Sequence, residues 1–376
     1  MTTTEERLTA ALARAAAAFR EETLRPLTAP ERTRGRWPRH LVPLLAAAAV
    51  VAVLGAELGL GKLASAPSQT TGSGTKPAST LWVVGSSIVT PVNTSTNTPG
   101  ASIKVCNPRI CSAGPAVFTP DGKTAYVPNQ DGDTVTVVNT VTGTAGPRIN
   151  VREMAGAIAI TPDGKTVYVA DNFSDTVVPI DTATNTPGPA ITMGRGPVGF
   201  AFTPDGKTAY VTNSGAGTVT PVNTITNTPG PPIKVGRGPM GIAMTPDGKT
   251  AYVANTYADT VTPIHTATNT PGTPIKVGSH PDQIVLTPDG KTAYVTNGGA
   301  GTVTPIHTAT NTAGPPIKVS SGDRFPLDLV ITADGKTAYA ALANSKLVVP
   351  IDTATNKPGT PFTTPQGASW LGITSR

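Results

Sequence analysis

The hexapeptide Thr-Pro-Asp-Gly-Lys-Thr begins at Thr119, Thr161, Thr203, Thr245 and Thr287, each copy 42 residues after the last, and Thr-Ala-Asp-Gly-Lys-Thr follows 45 residues later at Thr332. A fixed period of this length means a repeat array, in which each unit buries its apolar face only by stacking on its neighbours. Within one unit, residues 241–278, four short apolar stretches alternate with turn chemistry. In the first turn, Pro sets φ at the second position and Gly accepts positive φ; the run Ala-Thr-Asn-Thr-Pro-Gly repeats that logic in the third. The 39 Gly and 38 Pro suit short strands and tight turns and fit long helices poorly. With aromatics at only 5%, the core must be built of Val, Ile, Ala and Thr in thin layers.

Four short strands per unit is the pattern of one β-propeller blade. The runs AYVTN at Ala209 and Ala293 and AYVAN at Ala251, with TVTPI at Thr260 and TATNTPG at Thr266, resemble the YVTN family of β-propeller repeat proteins over about 295 of the 376 residues. That resemblance implies a bacterial or archaeal surface or secreted propeller, usually without an assigned reaction, and predicts fold better than function. Full units begin near Ala116, Ala157, Gly199, Gly241, Gln283 and Asp328. Before them, the stretches at Leu81, Ile88 and Ala101 match the last three strands of a blade; after them, the stretch at Ala368 matches a first strand. The two fragments complete a seventh blade and remove the sheet edges that would otherwise template aggregation. The expected fold is all-β: a seven-bladed β-propeller of four-stranded blades over residues 81–376, closed by the C-terminal strand, with Trp82 and Trp370 packing at the seam.

Ahead of the array, residues 41–61 form an apolar run whose only charge is Glu57, long enough to cross a hydrocarbon layer of about 30 Å as one transmembrane helix. Arg32, Arg34, Arg36 and Arg39 crowd one flank and Lys62 stands alone on the other, which puts residues 1–40 in the cytoplasm. Those residues read as a helical segment with Leu8, Leu12 and Phe19 roughly on one face, and residues 62–80 as a Ser/Thr/Gly/Pro tether. The alternative is a signal peptide cleaved after Ala64-Ser65-Ala66, opposed by the long leading segment and by Pro67.

The net charge of +6 is shared unevenly: residues 1–62 hold nine Lys/Arg and six Asp/Glu, leaving 20 and 17 for the remainder. A nearly neutral propeller with no basic run interleaved with aromatics is not expected to bind nucleic acid. His265 and His307 share a repeat position with Asn93, Asn139, Asp181, Asn223 and Asp352, where a short polar side chain bonds turn backbone. Cys106 and Cys111, four residues of spacing apart and the only cysteines, read as a local disulfide in an oxidising compartment. No cofactor or metal motif is present, and the Asp-Gly-Lys turns lack the second carboxylate that a calcium loop needs.

One charge recurs radially. Arg109, Arg152, Arg195, Arg237, His280 and Arg324 lie 42 to 44 residues apart, in the connections from the outermost strand of one blade to the innermost of the next. These connections gather at one mouth of the central channel, where the six side chains form a candidate ring favouring a carboxylate, phosphate or acidic glycan. The reading is a binding or scaffolding module, monomeric, taking a protein, an envelope polymer or a small anion. Two alternatives stand beside it: a propeller enzyme of lactonase or lyase type, which scarcity of His and Glu opposes, and a passive surface coat.

Overall fold

The computed structural model describes residues 80–374, apart from 86, 95, 107–112, 131, 152–155 and 366–369. The expected spans 1–40 and 41–61, and all of 62–80 but its last residue, lie outside the described residues, among which no helix is long and apolar enough to cross a membrane.

Seven antiparallel sheets follow one another in chain order. Blade 4 is representative. Its inner strand Pro197–Phe202 pairs with Thr208–Asn213, which pairs with Thr218–Asn223, and the outer strand follows. The inner strands of successive blades pack side by side around the axis. Blade 1 is composite: the C-terminal strand Trp370–Thr374 supplies its inner strand against Thr80–Val84, with Trp82 opposite Gly372 and Leu81 opposite Ile373. The ring thus closes by joining the two ends of the array, as the terminal fragments imply.

The outer strand departs from a simple four-stranded blade. In blade 4 it breaks into Thr228–Pro229 and Ile233–Lys234, both paired to Thr218–Asn223. The cause is Pro221 in the middle of the third strand. A residue's N–H and C=O share one side of a strand; the Pro221 carbonyl accepts from Gly230 N at 2.7 Å, so its missing N–H would also face the outer strand. Blade 2 provides the control. Val137 stands where the other third strands carry Pro, and its outer strand Thr144–Asn150 runs unbroken with one bulge.

Apolar clusters form between blades. Tyr252, Ala254 and Val261 of blade 5 pack with Ile284, Leu286 and Val295 of blade 6 in one such cluster, and each of these side chains is buried. This is the thin-layer core that a chain poor in aromatics must build. In blades 2 to 7 the turn between the first two strands is held by its own residues, as in blade 4: Thr203 Oγ1 donates to Asp205 Oδ1 at 2.6 Å, Lys207 N donates to the same oxygen at 3.1 Å, and Gly206 takes φ of 68°. The Asp-Gly-Lys runs are turns.

Candidate functional site

Two sets of loops meet at the end of the ring opposite those turns. One leads from each outer strand into the next inner strand; the other joins the second and third strands. In blade 4 they are bonded to each other: Ala216 N donates to the Arg195 carbonyl at 3.1 Å and Ser214 N to the Gly196 carbonyl at 2.7 Å. In blade 5 Tyr257 N donates to the Arg237 carbonyl at 3.2 Å and Thr256 N to the Gly238 carbonyl at 2.9 Å. Arg195 and Arg237 therefore occupy one loop position, each with its side chain exposed and followed by a glycine at positive φ.

His280 stands one residue beyond that position. Gly298 N donates to its carbonyl at 2.9 Å, while Gly299 N donates to the carbonyl of Ser279 at 3.1 Å. It is Ser279 that holds the arginine position, and His280 takes the place of the glycine, with φ of 53°. Arg324 returns to the arginine position: Pro326 pairs with Leu342 as Pro281 pairs with Asn297, and Arg324 is exposed two residues ahead of Pro326. Arg109 and Arg152 lie outside the described residues. Of the six ring candidates, the described structure thus aligns Arg195, Arg237 and Arg324 and displaces His280 by one residue.

Closer to the axis, the inner strands carry a polar group that sequence reasoning missed. Gly199, Gly241, Gln283 and Asp328 share a position facing the next inner strand, and at Gly241 an added Cβ would lie 2.5 Å from the Asp282 carbonyl oxygen. Glycine allows that close approach in blades 4 and 5. In blades 6 and 7 side chains bridge instead. Gln283 Nε2 donates to Asp328 Oδ1 at 3.2 Å, Leu329 N donates to the same oxygen at 2.8 Å, and Leu371 N donates to Asp328 Oδ2 at 2.7 Å. One buried carboxylate thereby connects blades 6, 7 and 1 beside the seam where the two ends of the repeat array pair.

Asp282, next to Gln283, has a buried Oδ1 without a hydrogen-bond partner. Burial pushes its carboxyl up to about 7, with the Asp328 charge adding to the rise. Burial likewise raises Asp328 to about 7, against the pull of its backbone and Gln283 donors. Three donors on Asp328, set against the bare Oδ1 of Asp282, place the shared negative charge on Asp328 and the proton on Asp282. The signal in the sequence was one column of unit-starting residues that changes from Ala and Gly to Gln and Asp.

The remaining candidates fall elsewhere. His265 and His307 are exposed and end third strands at the opposite, turn end of the ring. Cys106 is buried and disulfide-bonded, while Cys111 lies outside the described residues. Among the described residues no group of three or more His, Cys, Asp or Glu is placed to hold a metal. Cavities of about 360 Å³ beside Cys106 and Thr136 and about 490 Å³ beside His265 and Asn311 lie at outer strands.

Seven sheets closed around an axis, with Tyr-Val-Thr-Asn on the second strands of blades 4 and 6 and the variants Tyr-Val-Pro-Asn, Tyr-Val-Ala-Asp and Tyr-Val-Ala-Asn on those of blades 2, 3 and 5, define a YVTN-type β-propeller repeat protein. A family model for YNCE-like β-propellers matches residues 96–212 and 200–357, and the chain belongs to that family. Among solved structures it is similar to Kuenenia stuttgartiensis hydrazine synthase, at 23% identity and TM-score 0.63, over 69% of this chain and 94% of that one. It is also similar to a functionally unknown protein of Desulfotomaculum acetoxidans, at 18% identity and TM-score 0.68, over 78% of this chain and 98% of that one. Both likenesses concern the fold alone. No curated protein gives a match.

Proposed function

We propose that the protein is a membrane-tethered extracellular propeller that binds an anionic ligand at its loop face, as a binding or scaffolding module and not as an enzyme. The observation that carries the reading is the exposure of Arg195, Arg237 and Arg324 at one loop position on three blades, around the mouth of a closed ring. Guanidinium groups present planar forks of donors that match carboxylate and phosphate oxygens. The tether rests on the apolar run 41–61 with its arginine-rich flank, and the oxidised Cys106 fits an oxidising compartment. We include the Cys106–Cys111 bridge in this proposal.

The test is a thermal-shift screen of the purified full chain against citrate, phosphate and sugar acids, repeated on R195A/R237A. Stabilisation by an anion that disappears in the double variant is the expected result. Equal stabilisation of both proteins would contradict the loop-face site. Protease treatment of intact cells tests the tether: loss of the propeller is expected, and full protection would contradict it.

Asp282 is the observation that favours the second reading, a propeller enzyme, because an inner-strand carboxyl with an unpartnered Oδ1, poised near neutrality, is what proton transfer requires. Turnover in a lactone and ester screen that falls with Asp282→Asn would replace the binding reading.

A further inference from the structure

We infer that the partner of the loop face is an acidic polysaccharide, lying across blades 3 to 6 against the rings of Phe173 and Tyr257 and the surrounding cations. The inference rests on the loop face being the binding face.

The two faces of the ring treat their cations differently. At the turn face the lysines of five of the six Asp-Gly-Lys turns sit beside the aspartate of their own turn: Lys123, Lys165, Lys207, Lys249 and Lys291 lie 3.3 to 3.7 Å from Asp121, Asp163, Asp205, Asp247 and Asp289. Such exposed pairs add little stability, but they neutralise that face locally. At the loop face, Lys234, Lys276 and Lys318 end the outer strands, opposite Thr218, Thr260 and Thr302, and all three are exposed. Neither they nor Arg195, Arg237 and Arg324 take part in an ion pair among the described residues. Lys318 Nζ instead donates to the Ala300 carbonyl at 3.0 Å.

The acids on that face offset these charges only in part: across blades 3 to 6 the exposed cations Arg195, Lys234, Arg237, Lys276 and Lys318 outnumber the carboxylates Asp171, Asp175 and Asp259, which keep their charge while accepting backbone bonds. Asp175 Oδ1 accepts from Gly196 N at 2.8 Å and Asp259 Oδ1 from His280 N at 2.9 Å, so both are bonded to backbone in the loop of the next blade. Asp282 carries the proton of the axial pair, and Asp323 is the exposed acid beside Arg324. A near-neutral domain therefore has one face with an excess of positive charge, which attracts a polyanion.

The aromatic rings narrow the chemistry. Phe173 is 53% exposed and Tyr257 50%, and they share one position in the loops of blades 3 and 5 where blades 4 and 6 carry Gly215 and Gly299. The Asp175 and Asp259 bonds join each aromatic loop to the connection leading into the following blade, so Phe173 is set next to the Arg195 loop and Tyr257 next to the His280 loop. Tyr257 also lies over Gly238, beside Arg237. An open ring presents a negative face that receives the C–H face of a sugar, while neighbouring guanidinium and ammonium groups receive its carboxylates. Rings two blades apart, with glycine between, require an extended ligand with spaced charges. A small anion would use the arginines and leave the rings uncovered.

The experiment measures binding of the full chain to polygalacturonate, dextran and oligothymidylate, alongside the citrate thermal shift. Polygalacturonate should bind with a salt-dependent affinity, and dextran and oligothymidylate much more weakly. In F173A/Y257A, whose altered side chains are half in solvent, polygalacturonate binding should fall about tenfold while the citrate shift persists. R195A/R237A should lose both. Tighter binding of oligothymidylate, or polygalacturonate binding unaffected by F173A/Y257A, would overturn the polysaccharide inference while the citrate shift still upheld the loop face. Absence of any citrate effect would instead fail the loop-face reading itself.

Discussion

The Tyr294 hydroxyl donates to Oδ1 of Asn356 at 2.6 Å, across 62 residues of sequence, and ties the second strand of blade 6 to the outer turn of blade 7. The same bond recurs from Tyr126 to Asn185, Tyr168 to Asn227, Tyr210 to Asn269, Tyr252 to Asn311 and Tyr339 to Asn97, at 2.6 to 3.3 Å. Asn fits the acceptor position because the turn needs positive φ there, 55° at Asn356. At the seam between blades 1 and 2 both partners change together: Trp82 takes the tyrosine's place and Gly143, with φ of 68°, the asparagine's.

Tyr294→Phe should cost about 1 kcal/mol in urea unfolding, the net value of one such bond. Asn356→Gly keeps the backbone conformation and should cost a similar amount. Because both remove the same bond, the double variant should be less destabilised than the sum of the two. Strict additivity would show that the bond contributes nothing.

Asp328→Asn replaces an acceptor by an amide that can no longer satisfy Leu371 N and Leu329 N together while also accepting from Gln283. A loss on the order of 2 kcal/mol is expected, with the C-terminal strand exchanging its amides first. Unchanged protection of Leu371 would contradict its role in closing the ring. Gly241→Ala, which forces a Cβ against the Asp282 carbonyl, should cost about 1–3 kcal/mol in urea unfolding.

The axial pair also predicts a pH dependence. In the unfolded chain a carboxyl titrates near 3.9, whereas burial holds these two near 7 when folded. The folded state therefore binds protons more tightly, so the pair's contribution is fully present below about pH 4 and is lost as pH rises toward about 7. The turn aspartates act in the opposite sense, since bonds from Thr245 and Lys249 hold Asp247 below its ordinary value. Melting temperatures measured from pH 4.5 to 7.5 should show the axial decline, and Asp282→Asn should flatten it. An identical slope in Asp282→Asn would contradict the assignment.

Much of the ring was legible because each unit repeats its own local instructions. The Thr-Pro-Asp-Gly-Lys turn with its Gly at positive φ and the two terminal fragments state blade geometry in contiguous residues, whereas in the Ala-Thr-Asn-Thr-Pro-Gly turn it is Asn269, and not Gly272 as expected, that takes positive φ. The split outer strand was not anticipated, although Pro221 and its exception Val137 contain its cause; it required knowing which side of the third strand faces outward. The ring candidates were spaced from one another and not from the turn threonine. Arg195, Arg237 and Arg324 each precede that threonine by eight residues, while His280 precedes Thr287 by seven. The Asp328 bridge joins residues 43 and 45 positions apart that only the closed ring brings together.

The claim that the loop face is where the protein binds is tested most directly by amide hydrogen exchange of the full chain with and without citrate. The account predicts slower exchange in residues 194–196, 236–238 and 278–280, the connections that hold the arginine positions, and no change in the turns at 203–208 and 245–250. Protection confined to the turns, or to neither end of the ring while citrate raises the melting temperature, would contradict it.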